Sequence, residues 1–169
     1  MKNIVIILVL SLFGCNKNIQ THPPVGGVVS QKDLGDSKVR SKNLNQIERE
    51  QIQGWILDQN IKYYPTSLNY WTNIEGFDKR PRKANETLVS YEYNLYDFDQ
   101  TKIYDKPQGK QEVRLGHFNE LKAVEDALRF ANRNEEVTLL VPSALAYGTY
   151  GDEKKIGNDI PLIIKLKVF

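Results

Sequence analysis

The sequence predicts an α+β domain, an antiparallel sheet with one short helix against its face and an extra helix ahead of it. Three observations predict it. Residues 87–96 and 162–169 alternate apolar and polar side chains at the period of a half-buried strand. Leu121, Val124, Ala127, Leu128 and Ala131 form one apolar stripe at helical spacing between those runs. A second stripe, Leu44, Ile47, Ile52, Trp55 and Ile56, lies well upstream.

The elements follow in chain order. Met1-Lys2-Asn3 gives a basic start, Ile4 to Phe13 an apolar run, and Gly14 a small residue ahead of Cys15. That is the pattern of an export signal, and the run falls short of the ~20 apolar residues that span a bilayer. Residues 16–40 are polar, carry Pro23-Pro24 and Gly26-Gly27, and read as a flexible tether. Residues 43–61 read as a helix, with Asn45 and Glu48 as a cap signature and Trp55 as a docking contact. Residues 68–74 alternate as a strand. Lys79-Arg80-Pro81-Arg82-Lys83 is a basic loop, readable as a phosphate contact or as a solvated turn.

Residues 87–96 are the clearest strand, with Val89, Tyr91 and Tyr93 on one face and Leu88, Ser90 and Glu92 on the other. Asp97 to Thr101 reads as a hairpin turn. Its Asp-x-Asp is no calcium loop, because Lys102 and Gln108 stand where such a loop needs Gly and Glu. Asn119 is a candidate cap for the helix near Leu121. Residues 136–141 form a strand that stops at Pro142, and residues 162–169 form the last strand.

Composition excludes several functions. With 23 basic and 21 acidic residues the net charge is +2, too even for a nucleic-acid partner. One Cys and 2 His leave no metal set and no disulfide. His117 has no Gly-x-Ser-x-Gly partner, no phosphate loop occurs, and Glu125-Asp126 and Glu135-Glu136 read as solvated faces. No cofactor is expected. What remains is a loop hinged by Gly148, Gly151 and Gly157 that carries Tyr147 and Ile156, suited to wall an apolar pocket.

Two resemblances add to this reading. Leu12-Phe13-Gly14-Cys15 resembles the lipobox of bacterial lipoproteins, which implies cleavage before Cys15 and lipidation of its thiol; an ordinary signal with an incidental cysteine is the alternative. Pro142-Ser143-Ala144-Leu145-Ala146-Tyr147-Gly148, Gly151 and Ile156-Gly157-Asn158-Asp159-Ile160-Pro161-Leu162-Ile163-Ile164 are similar to the C-terminal signature of FKBP-type peptidyl-prolyl isomerases. Val113 to Gly116 and the helix from Leu121 fit that family's middle strand and helix. The chain as a whole resembles the gliding-motility-associated FKBP-type lipoproteins of the Bacteroidetes.

The resemblance implies a half-barrel, a twisted sheet wrapped on one helix with a proline pocket between. It implies a signal peptide over 1–14, a lipidated tether over 15–42, an accessory helix over 43–62 and an FKBP-like domain over 63–169. It assigns Tyr93, Ile103, Tyr104, Leu121, Val124, Tyr147, Ile156 and Ile164 to the pocket, with the Leu121 amide gripping substrate. Val124 stands for the family's floor tryptophan, Ile103-Tyr104 for its Phe-Asp pair, and Gln111 and Ile164 for aromatics. The smaller side chains at Val124 and Ile103 imply a wider, softer pocket.

The implied function is a membrane-anchored isomerase for proline-containing exported polypeptides, on the periplasmic or outer side of a bacterial membrane. A motility complex supplies possible partners. The alternative is a non-catalytic binding or scaffold lipoprotein.

Overall fold

The computed structural model describes residues 31–169. The chain divides into two compact units, Met1–Asp36 and Ser37–Phe169. Of the first, only residues 31–36 fall in the described range, as the opening of a helix. The signal, Cys15 and the greater part of the tether lie outside the described residues.

Helix α1 spans Gln31–Leu57. It starts well before the expected Asn43, so residues 31–42 are helical rather than tether, and it ends short of residue 62. Residues 37–43 are exposed and polar apart from Val39, so no apolar period marks them as helix. The stripe is also shifted: Ile47 is exposed while Glu48 and Ile52 are buried.

Six antiparallel strands follow: β1 Tyr64–Pro65, β2 Trp71–Thr72, β3 Leu88–Tyr96, β4 Gln108–Arg114, β5 Glu136–Val141 and β6 Leu162–Val168. Their order in the sheet is β1-β2-β5-β6-β3-β4. The strand expected over 68–74 shrinks to two residues. The chain turns at Asn69, which has φ 67°, and Thr66 Oγ1 donates to the Tyr70 carbonyl. The long central ladders are β3–β6, Tyr91 opposite Val168 through Tyr96 opposite Ile163, and β5–β6, Glu136 opposite Lys167 through Val141 opposite Leu162. The expected turn after β3 forms, with Asp97 Oδ1 accepting the Thr101 amide at 2.8 Å.

Alternation decides what each face touches. Val89, Tyr91, Tyr93 and Leu95 of β3 point to the same side as Leu139, Ile164, Leu166 and Val168. Helix α2, Lys122–Phe130, lays Ala123, Val124, Ala127 and Leu128 onto that side and completes the main core. The opposite side of β2, β5 and β6 presents Trp71, Leu140 and Ile163, which α1 covers with Ile52 and the half-buried Trp55 and Ile56. Trp55 docks as expected, its Nε1–H donating to the Phe98 carbonyl at 2.8 Å. Ser37 onward, α1 therefore belongs to the same unit as the sheet.

The sheet's two edges differ from its middle. One is the two-residue β1, ending in Pro65. The other is β4, with Lys110, Glu112 and Arg114 along it and a register irregularity against β3 between Val89 and Tyr91.

The basic loop is solvated in part, with Lys79, Pro81 and Arg82 exposed, while Arg80 and Lys83 are tied into the domain. Arg80 makes a bidentate pair with Glu135 at 2.7 and 3.0 Å. Lys83 Nζ donates to the Leu128 carbonyl at 2.9 Å and to the Ala131 carbonyl. These carbonyls end α2, where a cation is favoured and the last acceptors lack helical partners. The supposed solvated faces are engaged too: Glu125 pairs with Arg129 and Asp126 accepts from the Tyr70 hydroxyl. Replacing Lys83 with Met should lower stability by about 1–2 kcal/mol, because it strips those carbonyls of a charged donor. Urea unfolding checks this, and an unchanged midpoint would show that Lys83 only ornaments the helix end.

Candidate functional site

The eight positions assigned to a pocket all lie in the main core or against it. Tyr93, Leu121, Val124, Ile156 and Ile164 are buried in it, and Ile103, Tyr104 and Tyr147 pack half-buried against it. Each arrives by a different route. Tyr93 and Ile164 stand on the core face of neighbouring strands β3 and β6. Ile103 follows the β3 turn, where its amide donates to the Leu95 carbonyl at 2.9 Å. Leu121 is the N-cap residue of α2, and Val124 lies within that helix. The expected Asn119 cap is not used, since α2 has no side-chain bond from its N-cap.

The loop from Tyr147 to Ile156 is closed by a turn. Gly151 has φ 68°, and a Cβ there would meet the Ile156 carbonyl oxygen at 2.2 Å, so only glycine fits. Asp152 then accepts the amides of Lys154 at 3.0 Å and Ile156 at 2.8 Å, and its other oxygen takes the Tyr104 hydroxyl. Burial works against the Asp152 carboxylate, but these hydrogen bonds outweigh it and hold its pKa below the usual value.

Four of the expected pocket positions are shut off from solvent. Val124 and Ile164 have 0 % exposure, Tyr93 2 % and Ile156 4 %. The open space lies at the rim instead. A cleft of about 790 Å³ runs along Tyr104, Pro107, Gln108, Tyr147, Asp152 and Lys155.

Glu120 organises the ground behind that rim. Its Oε1 accepts the Leu121 amide at 3.0 Å and lies 2.8 Å from the Tyr93 hydroxyl. Its Oε2 accepts the Tyr91 hydroxyl at 2.7 Å, with Lys110 Nζ at 3.5 Å. The Leu121 amide, expected to face a substrate, is therefore held by an internal carboxylate. Tyr93 also lies 3.0 Å from Gln108 Oε1, which the Tyr147 hydroxyl approaches to 3.4 Å. Burial, with Glu120 nearby, pushes the Tyr93 phenol far above its ordinary pKa. Burial also raises that of Tyr147, so its hydroxyl remains a proton donor at neutral pH.

Gln108, Glu120 and Asp152 carry no motif, and reading the sequence misses all three. Asp152 alone leaves a trace, as an acidic residue after a glycine in a loop. Gln111, placed where the family has an aromatic, sits exposed on β4. Among the described residues no cluster of His, Cys, Asp or Glu could hold a metal, and no helix is long and apolar enough to cross a membrane.

An antiparallel sheet wrapped on one short helix, with a tyrosine-rimmed cleft between the segment 104–108 and the loop 147–155, is the architecture of a class of proline-bond isomerase domains. Residues 79–169 match the profile of the FKBP-type peptidyl-prolyl cis-trans isomerases, more than half of the chain. The chain belongs to that family.

The fold is shared with solved structures of low identity. A peptidyl-prolyl cis-trans isomerase from Pseudomonas syringae pv. tomato superposes with a TM-score of 0.55 at 18% identity, over 76% of this chain and 93% of that one. FkpA from Escherichia coli gives 0.54 at 14%, over 84% and 73%. The N-terminal domain of FKBP42 from Arabidopsis thaliana gives 0.51 at 16%, over 66% and 92%. No curated protein matches the sequence.

Proposed function

We propose that this chain is a membrane-anchored peptidyl-prolyl isomerase that uses the rim cleft at Tyr147 to turn X-Pro bonds in exported polypeptides. The observation that carries the reading is the cleft itself, formed by the family's signature loop and lined by Tyr104, Gln108, Tyr147 and Asp152. Rotation about an X-Pro bond breaks no covalent bond. Its barrier of ~18–20 kcal/mol is lost amide resonance. The work required is to hold the chain while the amide twists and to shield it from water.

The Tyr147 hydroxyl suits the holding. Its separation of 3.4 Å from Gln108 is long for a hydrogen bond, so the proton is free to go to a substrate carbonyl. A thousandfold acceleration needs about 4 kcal/mol, within reach of a few such bonds and partial desolvation.

The anchor rests on residues 1–15. Diacyl modification of Cys15 would fix the chain to a membrane of the bacterial envelope, with the domain on its periplasmic or outer side. Clients would be proline-containing exported polypeptides, and the resemblance points to those of a gliding-motility apparatus. Labelling cells with a radioactive fatty acid tests the anchor: the label should enter the protein and vanish in Cys15→Ser.

A second reading, a binding or scaffold lipoprotein, draws on two specific observations. The inner pocket positions are sealed, and Glu120 occupies the Leu121 amide. Relaxation of a proline peptide from cis to trans separates the readings. Catalysis predicts a rate above buffer that falls about five- to tenfold in Tyr147→Phe, the worth of one hydrogen bond. A rate equal to buffer leaves the scaffold.

A further inference from the structure

Helix α1 reaches the cleft loop through one buried carboxylate. Glu48 is 2 % exposed and Ser143 1 %. Glu48 Oε2 accepts the Ser143 backbone N–H at 2.8 Å, and Oε1 accepts its Oγ–H at 2.6 Å. No ion pair among the described residues involves Glu48. A buried carboxylate held by two neutral donors is expensive in free energy, so the contact must fix something worth fixing.

What it fixes is the start of the turn that leads to Tyr147. Ser143 opens a 3-10 turn, Ser143–Leu145, in which the Leu145 amide donates to Pro142 and the Ala146 amide to Ser143. Ala146 then adopts φ −110°, ψ −117°, outside the common basins, and bends the chain just before Tyr147. The direction in which Tyr147 leaves this bend depends on where Ser143 is held. Ile52, one helical turn beyond Glu48, is anchored among Trp71, Leu140 and Ile163 on the face of the sheet away from α2. The carboxylate thus carries a contact from that face, past the end of β5, to the loop on the other side.

We infer that Glu48 is a positioning residue for the isomerase: by clamping Ser143 it sets where the Tyr147 hydroxyl stands at the cleft. This rests on the reading of Tyr147 as the group that holds substrate.

The test uses the full chain with Glu48→Ala, Glu48→Gln and Ser143→Ala. Val168→Ala serves as a core truncation at the far end of β6. Two quantities are read: kcat and KM for a proline peptide, and amide hydrogen exchange over residues 144–151. Glu48→Ala should lower kcat about tenfold with little change in KM, since misplacement of an orienting group weakens the transition state more than binding. Exchange in the loop should quicken by a similar factor. Glu48→Gln keeps one acceptor oxygen and should recover part of both, while Val168→Ala should lose stability and alter neither.

If Glu48→Ala does not fold, Ser143→Ala deletes only one of the two bonds and carries the same comparison. Unchanged kcat and loop exchange in the clamp variants, or equal losses in Val168→Ala, would overturn the inference. Should the unmodified chain fail to speed the peptide, the cleft reading fails by itself, and loop exchange alone decides the clamp.

Discussion

Raising the pH above about 10 should cost the folded protein about 4 kcal/mol of stability per pH unit. Tyr70, Tyr91 and Tyr93 are fully or almost fully buried. Burial raises each phenol far above its ordinary value, and the carboxylates that accept their hydroxyls, Asp126 for Tyr70 and Glu120 for the other two, add to it. The sign follows from where the protons go. Below the unfolded pKa of about 10 both states keep them and the contribution is whole. Above it the unfolded chain releases three protons that the native state retains, so stability falls as pH rises toward the raised native values.

Each tyrosine contributes about 1.4 kcal/mol per unit, and a domain of ordinary stability is exhausted within a few units. Urea unfolding between pH 8 and 11.5, read together with tyrosinate absorbance, measures it. Ionisation of these three phenols in a protein that stays folded would contradict the burial described here.

The second large effect is expected from Glu120. Replacing it with Ala removes the acceptor of the Leu121 amide and of the Tyr91 and Tyr93 hydroxyls. Orphaned buried donors cost about 1–3 kcal/mol each, and water at the rim offsets part of that, so a net loss of about 3 kcal/mol follows. Glu120→Gln retains one acceptor oxygen and should lose about 1 kcal/mol. Activity should move the other way. The freed Leu121 amide becomes available to a substrate carbonyl, while the buried Tyr93 hydroxyl keeps Gln108 Oε1 as acceptor, and turnover per folded molecule should rise. Thermal unfolding with the peptide assay on both variants checks the pair of effects; a Glu120→Ala chain as stable as its parent would remove Glu120 from its central place.

Much of the architecture could be read before any coordinates. β3, β6 and α2 each bury one face over enough residues for a period of two or 3.6 to stand out. Trp55 was legible as a docking residue because an aromatic in a polar helix needs a surface to meet. Short elements were not: β1 and β2 have two residues each, too few to show a period, and partner strands define them.

The start of α1 was hidden because residues 34–43 are exposed all round, with no apolar face to mark a helix. Glu48 was misassigned: beside Asn45 it reads as half of a cap signature, but both lie inside α1, and its acceptor role is toward Ser143, 95 residues away. The family signature assigned residues that all lie in or against the main core, but it said nothing of volume. Val124 suggested room, and its side chain is fully buried. Gln108, Glu120 and Asp152 act through hydrogen bonds to distant tyrosines and amides, a relation that spacing along a chain does not encode.

The blunt margins of the sheet have a bearing on how such molecules crowd. One border offers two residues and a proline, which has no amide hydrogen to give, and the other a kinked strand studded with alternating charges. Neither can template the zipper-like growth that flat, bare β-margins invite. Copies brought close together should therefore not join along these margins, and each keeps its own cleft.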